Sequence, residues 1–254
     1  MRVLVKLGGT LLDSEESRAR LARDIAELRA TSEVVVVHGG GKQMTRYLEQ
    51  HGISSRFVNG LRVTTPEILD AVLKIFAGTV NSHLVSALRA AGARPVGLTG
   101  IDAGLVDAEP LDSELGHVGR PVQSDPRLLE ILLREGYIPV VACVAGDARG
   151  AIYNVNGDQM AAACASALGV DKLLFLTDVD GVRNGAGETL GALSAAQARE
   201  LIRVGAATGG MQAKLEAALV AIENRVPEIV IAPGSYSRAL PYLTNGGQIG
   251  TLIR

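Results

Sequence analysis

The 254-residue chain has no tryptophan, three phenylalanines and five tyrosines, so aromatic residues make up only 3% of it. Its core must be filled by Val, Leu, Ile and Ala, which suits parallel strands covered by helices on both faces. Only two cysteines occur, Cys143 and Cys164, far apart and in the apolar contexts VVACVAG and AAACASA. That argues against a disulfide framework, and both read as reduced, buried thiols. No Cys-x-x-Cys or His-rich spacing suggests zinc. There is no run of five or more like charges, and a net charge of -2 with a pI of about 6.1 leaves no basic footprint for nucleic acid. Unbroken apolar runs fall short of the ~18 residues needed to cross a bilayer. The opening MRVLVKL lacks the longer apolar stretch and cleavage site of a signal peptide. The expectation is a cytoplasmic protein with neither nucleic acid nor a membrane as partner.

The standard nucleotide and nucleophile motifs are also missing. Gly41-Lys42 is followed by Gln43 and has no glycine upstream at the spacing of a P-loop. No His-Arg-Asp or Asp-Phe-Gly is present, which excludes a protein kinase, and there is no Gly-x-Ser-x-Gly elbow.

What is present is a regular alternation. Val3 to Leu7 and Val34 to Val37 are short apolar strands, each running into glycines. Asp13 with Glu16 reads as a capping box ahead of Leu21, Ile25 and Leu28 at helical spacing. Thr65-Pro66 opens a long helix that Gly92 stops. Pro126 and Gly136 bracket another helix, and Ile138 to Val144 reads as one buried strand. Gly157 to Leu168 is an Ala-rich helix, Leu173 to Leu176 a strand, Ser194 with Gln197 a second capping box, Met211 to Asn224 a helix and Glu228 to Ala232 a late strand. The fold class is α/β, with a mainly parallel sheet between helices. Residues 56–64, 105–119 and 148–153 break the rhythm and read as hairpins or edge excursions.

Ligands in such sheets bind at the carboxyl ends of strands. A lysine inside a short buried strand, as Lys6 is, needs a partner, and Gly8-Gly9 just after it would let an anion approach the backbone. His38-Gly39-Gly40-Gly41 exposes backbone N–H groups before a helix, although alone it also fits a tight turn. His38 alone reads as a hydrogen-bonded structural histidine. Asp178 and Asp180 in Thr177-Asp178-Val179-Asp180-Gly181 fit magnesium, a ribose or only their own turn. Asn154-Val155-Asn156-Gly157-Asp158 leads into the Ala-rich helix, where Asn156 or Asp158 could be an ordinary cap. Lys214, read as lying in a first helical turn, opposes the helix dipole unless solvent or a bound anion compensates. Phosphoryl transfer needs mainly positioning and positive charge, which two lysines, glycine N–H groups and an orienting aspartate would meet.

These residues resemble the acetylglutamate kinases, of the amino-acid kinase fold, over essentially the whole chain. The matching stretches, in order, are VKLGGTLLDS, VVVVHGGGKQ, NGLRVTT, AGTVN, GLTGIDAGL, LGHVGR, GYIPVVA, NVNGDQMA, LLFLTDVDGV and TGGMQAKL, with a closing GT. The resemblance implies a three-layer αβα sandwich. It implies a single domain over 1–254, with about 1–170 holding the amino-acid substrate and the dimer contact and about 171–254 holding ATP. Lys6 and Lys214 then match the lysines that neutralise the phosphoryl group in flight, and Asp158 the aspartate that orients them. Gly40, Gly41, Arg62 and Asn154 match substrate-binding positions, Arg62 by gripping the α-carboxylate. Gly8 and Gly9 match glycines facing the ATP phosphates. Asp178, Val179, Asp180, Gly181, Val182 and Arg183, with Ala206, Ala207 and Thr208, match segments around the nucleotide.

The implied reaction is attack by the γ-carboxylate of N-acetyl-L-glutamate on the γ-phosphorus of ATP, on the way to arginine. Mg2+ would be held mainly by ATP, with no direct protein ligand. Gly157 stands where the resembled family often has alanine. The first strand begins almost at Met1, without the N-terminal helix of arginine-inhibited relatives. The expectation is therefore a homodimer that arginine does not inhibit. The alternatives are a kinase for carrier-protein-linked aminoadipate or glutamate, and a non-catalytic ligand-binding relative.

Overall fold

Val3, Leu4, Val5 and Leu7 are completely buried in β1 (Arg2–Leu7), as are Val34 to Val37 in β2 (Glu33–His38). Strands with no exposed face must be covered on both sides. The structure, a computed structural model, describes residues 1–254. The chain runs through α1 (Glu15–Arg29), α2 (Gly41–Gln50) and the hairpin β3 (Phe57–Val58) and β4 (Leu61–Arg62). A continuous rod, Pro66–Ala90, follows, made of α3 (Pro66–Val72), a π-helical stretch Leu73–Val80 and α4 (Asn81–Ala90). Next come β5 (Pro95–Thr99), β6 (Val106–Pro110), β7 (Val118–Ser124), α5 (Arg127–Arg134), β8 (Ile138–Ala142), β9 (Val144–Gly146), β10 (Ile152–Val155) and α6 (Gly157–Leu168). The remainder is β11 (Lys172–Thr177), β12 (Ala192–Leu193), α7 (Ala195–Arg203), α8 (Gly209–Glu223), β13 (Glu228–Pro233), α9 (Ala239–Thr244) and β14 (Thr251–Ile253).

Eight strands form one sheet in the order β12-β14-β13-β11-β1-β2-β8-β5. Every pairing in it is parallel except β13 with β14. Helices α1, α4 and α9 pack together in one layer and α6, α7 and α8 in another, with the sheet between them. One apolar cluster of 66 buried residues runs through all three layers and both halves of the chain. The expected α/β sandwich is what forms. The rod Pro66–Ala90 is 25 residues long and apolar enough to pass for a bilayer span by length and composition, but its Ile68, Val72, Phe76, Leu84 and Leu88 lie in the core.

Several local readings change. The irregular segments do form the hairpin β3-β4, but β6, β7, β9 and β10 also close on one another as a four-stranded barrel. This follows from a break in the strand expected over 138–144: β8 stops before Cys143, and β9 turns to pair with β10 and β6. Helix α1 is capped by Ser14, which accepts from the Ser17 N–H, while Asp13 pairs with Lys42 and Arg46. Helix α8 starts at Gly209, two residues earlier than read from the sequence, so Lys214 lies in its second turn. The capping box of Ser194 and Gln197 forms as expected.

Phe175 is a fully buried large side chain in β11, between β1 and β13. Phe175→Ala should cost about 3–5 kcal/mol of stability, read as a lower urea midpoint at unchanged slope.

Candidate active site

The strand order brings Lys6 near the C-terminal end of β1, beside the N-terminal turn of α6. There Lys6 Nζ lies 2.8 Å from Asp158 Oδ1. Lys214 Nζ, from α8, lies 3.4 Å from Asp158 Oδ2 and 3.3 Å from the Gly210 carbonyl. One carboxylate thus stands between two ammonium groups from distant parts of the chain. Lys6 and Asp158 both line the neighbouring cavity, so the closer of the two contacts stands at its edge. Burial pushes the Asp158 carboxyl upward, but Lys6 and Lys214 outweigh it and hold the group below its ordinary 3.8. Burial pulls the Lys214 ammonium below its ordinary 10.5, and Lys6 adds to this, against the attraction of Asp158. The cluster carries one excess positive charge in a place shielded from water, which is how a transferring anion is received.

Two glycine turns meet in front of these lysines. A Cβ on Gly9 would lie 3.0 Å from the Gly41 nitrogen, so at Gly9 the turn after β1 needs a residue without a side chain to approach the start of α2. Gln43 Nε2 donates to the Gly9 carbonyl at 3.0 Å, and Asp13 holds Lys42 at 2.9 Å and Arg46 at 2.7 Å. These contacts stitch the turn after β1 to the start of α2. The Gly8 N–H is already given to the Leu176 carbonyl at 3.1 Å, so Gly8 contributes an open face and not a donor. At Gly157 a Cβ would meet Cys143 Sγ and Lys6 Cε, each at 3.2 Å, so an alanine there would need these side chains to shift by a few tenths of an ångström. Both cysteines are free and buried, as expected, and burial pushes the Cys143 thiol up to about 12.

A cavity of about 360 Å³ opens from Lys6 and Asp158 across Gly39, Gly40 and Gly41 to Arg62 and Asn154. The Arg62 guanidinium donates to Ser55 Oγ and Thr45 Oγ1, both at 2.6 Å, and sits 4.6 Å over the Phe57 ring. Burial lowers its pKa from the ordinary 12.5. No carboxylate of the chain pairs with it, although a buried guanidinium ordinarily has one. Asn154 Nδ2 donates to Thr64 Oγ1 at 3.0 Å. The supporting Thr45, Ser55 and Phe57 carried no signal in the sequence beyond lying near Arg62 in the chain.

Residues 178–183 follow β11, at the same end of the sheet as Lys6. Asp178, Val179, Asp180 and Arg183 are exposed there, and Asp178 acts on the charge of Lys214. Val182 is different. Its side chain is in the core, its N–H goes to Thr251 Oγ1 at 2.8 Å and its carbonyl accepts from Leu190 at 2.8 Å, so its visible work is to fix the loop. Ala207 is likewise buried, whereas Ala206 and Thr208 are exposed just before α8. The tip of the β3-β4 hairpin reaches this helix: a Cβ on Gly60 would lie 3.9 Å from Gly209 Cα.

With that geometry in view, the relatives can be placed. The family model described as "Amino acid kinase family" matches residues 1–233. The chain belongs to the amino acid kinase family. A Solibacter usitatus protein named acetylglutamate kinase is 60% identical over 252 residues, 99% of this chain and 98% of that one. One of the same name from Geobacillus kaustophilus is 42% identical over 254 residues, covering 99% and 96%. A crystal structure of N-acetylglutamate synthase from Neisseria gonorrhoeae, complexed with coenzyme A and N-acetyl-glutamate, superposes with a TM-score of 0.86 at 26% identity, covering 99% of this chain and 59% of that one. Family membership makes ATP the nucleotide substrate of this amino acid kinase.

Asp158→Asn would leave two buried ammonium groups facing each other. It should cost about 3–5 kcal/mol in urea unfolding at neutral pH. Because the folded carboxyl titrates below its ordinary 3.8, the contribution of Asp158 is fully present above that value and is lost as pH falls through the lower folded value. The difference between wild type and variant should therefore shrink in acid.

Proposed function

We propose that this chain transfers the γ-phosphoryl group of ATP to the γ-carboxylate of N-acetyl-L-glutamate, giving N-acetyl-L-glutamyl 5-phosphate in arginine biosynthesis. The observation that carries the reading is the pairing of two sites across one cavity: a lysine–aspartate–lysine cluster at one end and a buried guanidinium without a carboxylate at the other. Arg62 takes the α-carboxylate of the acceptor in its planar fork. Asn154 helps fix the same molecule. Its γ-carboxylate, already ionised near neutral pH, then faces Gly40 and Gly41 and needs no general base. Lys6 and Lys214 flank the transferring group and offset the charge that spreads over its oxygens. Full-length relatives named acetylglutamate kinase support the choice of substrate.

In this reading about 1–170 hold the acceptor and about 171–254 the nucleotide, with Gly8, Gly9, Asp178 to Arg183 and Ala206 to Thr208 around ATP. The donor set fits Mg2+ only as an ion carried by ATP: both Asp158 oxygens face lysines, and no three His, Cys, Asp or Glu side chains converge. When bound, the ion neutralises phosphate charge. We place the enzyme in the cytoplasm, where ATP is supplied and thiols such as Cys143 and Cys164 stay reduced. We also propose a homodimer, since only 44% of the apolar stretch of the rod Pro66–Ala90 is buried within one chain. A carrier-protein substrate fits less well, because Lys42 and Arg46 are paired with Asp13 and Lys74 with Asp70, so that of Arg56, Arg62 and Lys74 only Arg56 is an exposed cation without an ion pair.

Trapping the acyl phosphate with hydroxylamine tests the assignment, with N-acetyl-L-glutamate, glutamate and α-aminoadipate run in parallel. Signal with the acetylated substrate alone is expected; signal confined to another acceptor, or none, contradicts the reading. Arg62→Lys should raise KM for the acceptor by about tenfold or more, equivalent to ~1.5 kcal/mol of lost charged hydrogen bonding, and change kcat less. Light scattering should report twice the chain mass.

A further inference from the structure

We propose that His38 and Asn81 are positioning residues that aim the Gly40 N–H at the reacting end of the acceptor, an inference that rests on the function proposed above. His38 is completely buried at the end of β2, immediately before the glycine turn, and it does not line the cavity. Its two ring nitrogens have different partners. Nε2 lies 2.9 Å from Asn81 Nδ2, and Nδ1 lies 2.9 Å from the Gly39 carbonyl oxygen.

The protons can be assigned from chemistry. Asn81 Nδ2 also meets the Val140 carbonyl at 2.9 Å, and a carbonyl only accepts, so the atom there is the amide NH2. That NH2 donates to His38 Nε2, which must be bare. The ring proton therefore sits on Nδ1 and is donated to the Gly39 carbonyl. The two ends of the network agree on one tautomer. Burial also keeps the ring neutral, with its pKa lowered to about 4.

The consequence follows from the peptide bond. No cis peptide occurs in the chain, and in a trans peptide the C=O and the N–H of the next residue point in opposite directions. Pinning the Gly39 carbonyl to the ring turns the Gly40 N–H away from the ring, to the side where Gly39, Gly40 and Gly41 line the cavity. That N–H makes no hydrogen bond within the chain. A flipped peptide would instead present a carbonyl lone pair to an anionic acceptor.

The surrounding residues hold this arrangement. The His38 carbonyl accepts from both the N–H and the thiol of Cys143, at 3.2 and 2.8 Å. Asn81 begins α4 where the π-helical stretch ends, and such widened turns are common at functional sites. The same stretch presses Phe76 and Val80 against Gly40, where a Cβ would lie 2.8 Å from Phe76 Cδ1. Asn81 Oδ1 lies 2.1 Å from where a Cβ on Gly97 would be, so the strand behind it needs glycine.

Two substitutions of similar polarity separate positioning from packing. His38→Asn keeps an N–H donor near the Nδ1 position, whereas His38→Gln places its amide near Nε2 and leaves Gly39 without a donor. In the hydroxamate assay, His38→Asn should keep kcat within a few-fold of wild type. His38→Gln should lose about 10²-fold in kcat, the usual loss for one misdirected oxyanion donor, with KM for ATP and thermal stability close to those of His38→Asn. Equal losses in both variants that track stability, or no loss in His38→Gln, would overturn the role. Nitrogen-15 NMR of ligand-free wild type should show His38 protonated at Nδ1 and bare at Nε2. The opposite tautomer in an active enzyme overturns this inference alone. The expected tautomer in a wild type inactive on N-acetyl-L-glutamate overturns the acceptor assignment, and this role with it.

Discussion

Asp158 holds one negative charge between two ammonium groups in a place that water barely reaches. Two buried lysines repel each other and each loses hydration, so neither would stay charged there unaided. The carboxylate makes the pair tolerable, and the excess positive charge that remains is what a phosphoryl group in flight offsets. Much of the architecture serves this contact. Lys6 comes from the central strand, Asp158 from the first turn of α6 and Lys214 from the second turn of α8, and only the crossover connections of the parallel sheet bring the three together.

The second constraint is space. Gly9, Gly40, Gly41 and Gly157 surround the cluster, and at three of them an added Cβ would lie within 3.2 Å of a neighbour: the Gly41 nitrogen for Gly9, Phe76 for Gly40, Cys143 and Lys6 for Gly157. The site is assembled by backbone approaching backbone, with Gln43 and the Asp13–Lys42–Arg46 contacts holding the two glycine turns in register. The rod Pro66–Ala90 backs the acceptor side, and its π-helical stretch places Phe76, Val80 and Asn81 against the turn that follows β2.

Much of this was legible in the sequence, for physical reasons. A lysine in a buried strand followed by glycines and a glycine run ahead of a helix are local signals, and each marks a position that now lines the cavity, whereas Arg62 is reached only through the family resemblance. The alternation of apolar runs and helical periods gave the sheet and its covering helices. What stayed hidden depends on contacts between distant segments. The closed barrel of β6, β7, β9 and β10 needs the chain to break at Cys143, and nothing in VVACVAG announces that. Ser14 displaced Asp13 as the cap of α1 because Asp13 is drawn to Lys42 and Arg46 on another helix. Asn81 looked like an ordinary helical residue until β2 and β8 placed a histidine ring and a carbonyl beside it.

The central claim is that Lys6 and Lys214 act as one unit on one transferring group, held by one aspartate. A double-mutant cycle on kcat measures this directly, using Lys6→Gln, Lys214→Gln and the combined variant. The account predicts strong non-additivity, with the combined variant barely slower than the worse single one. Losses that multiply in full would show two lysines working independently and would contradict it.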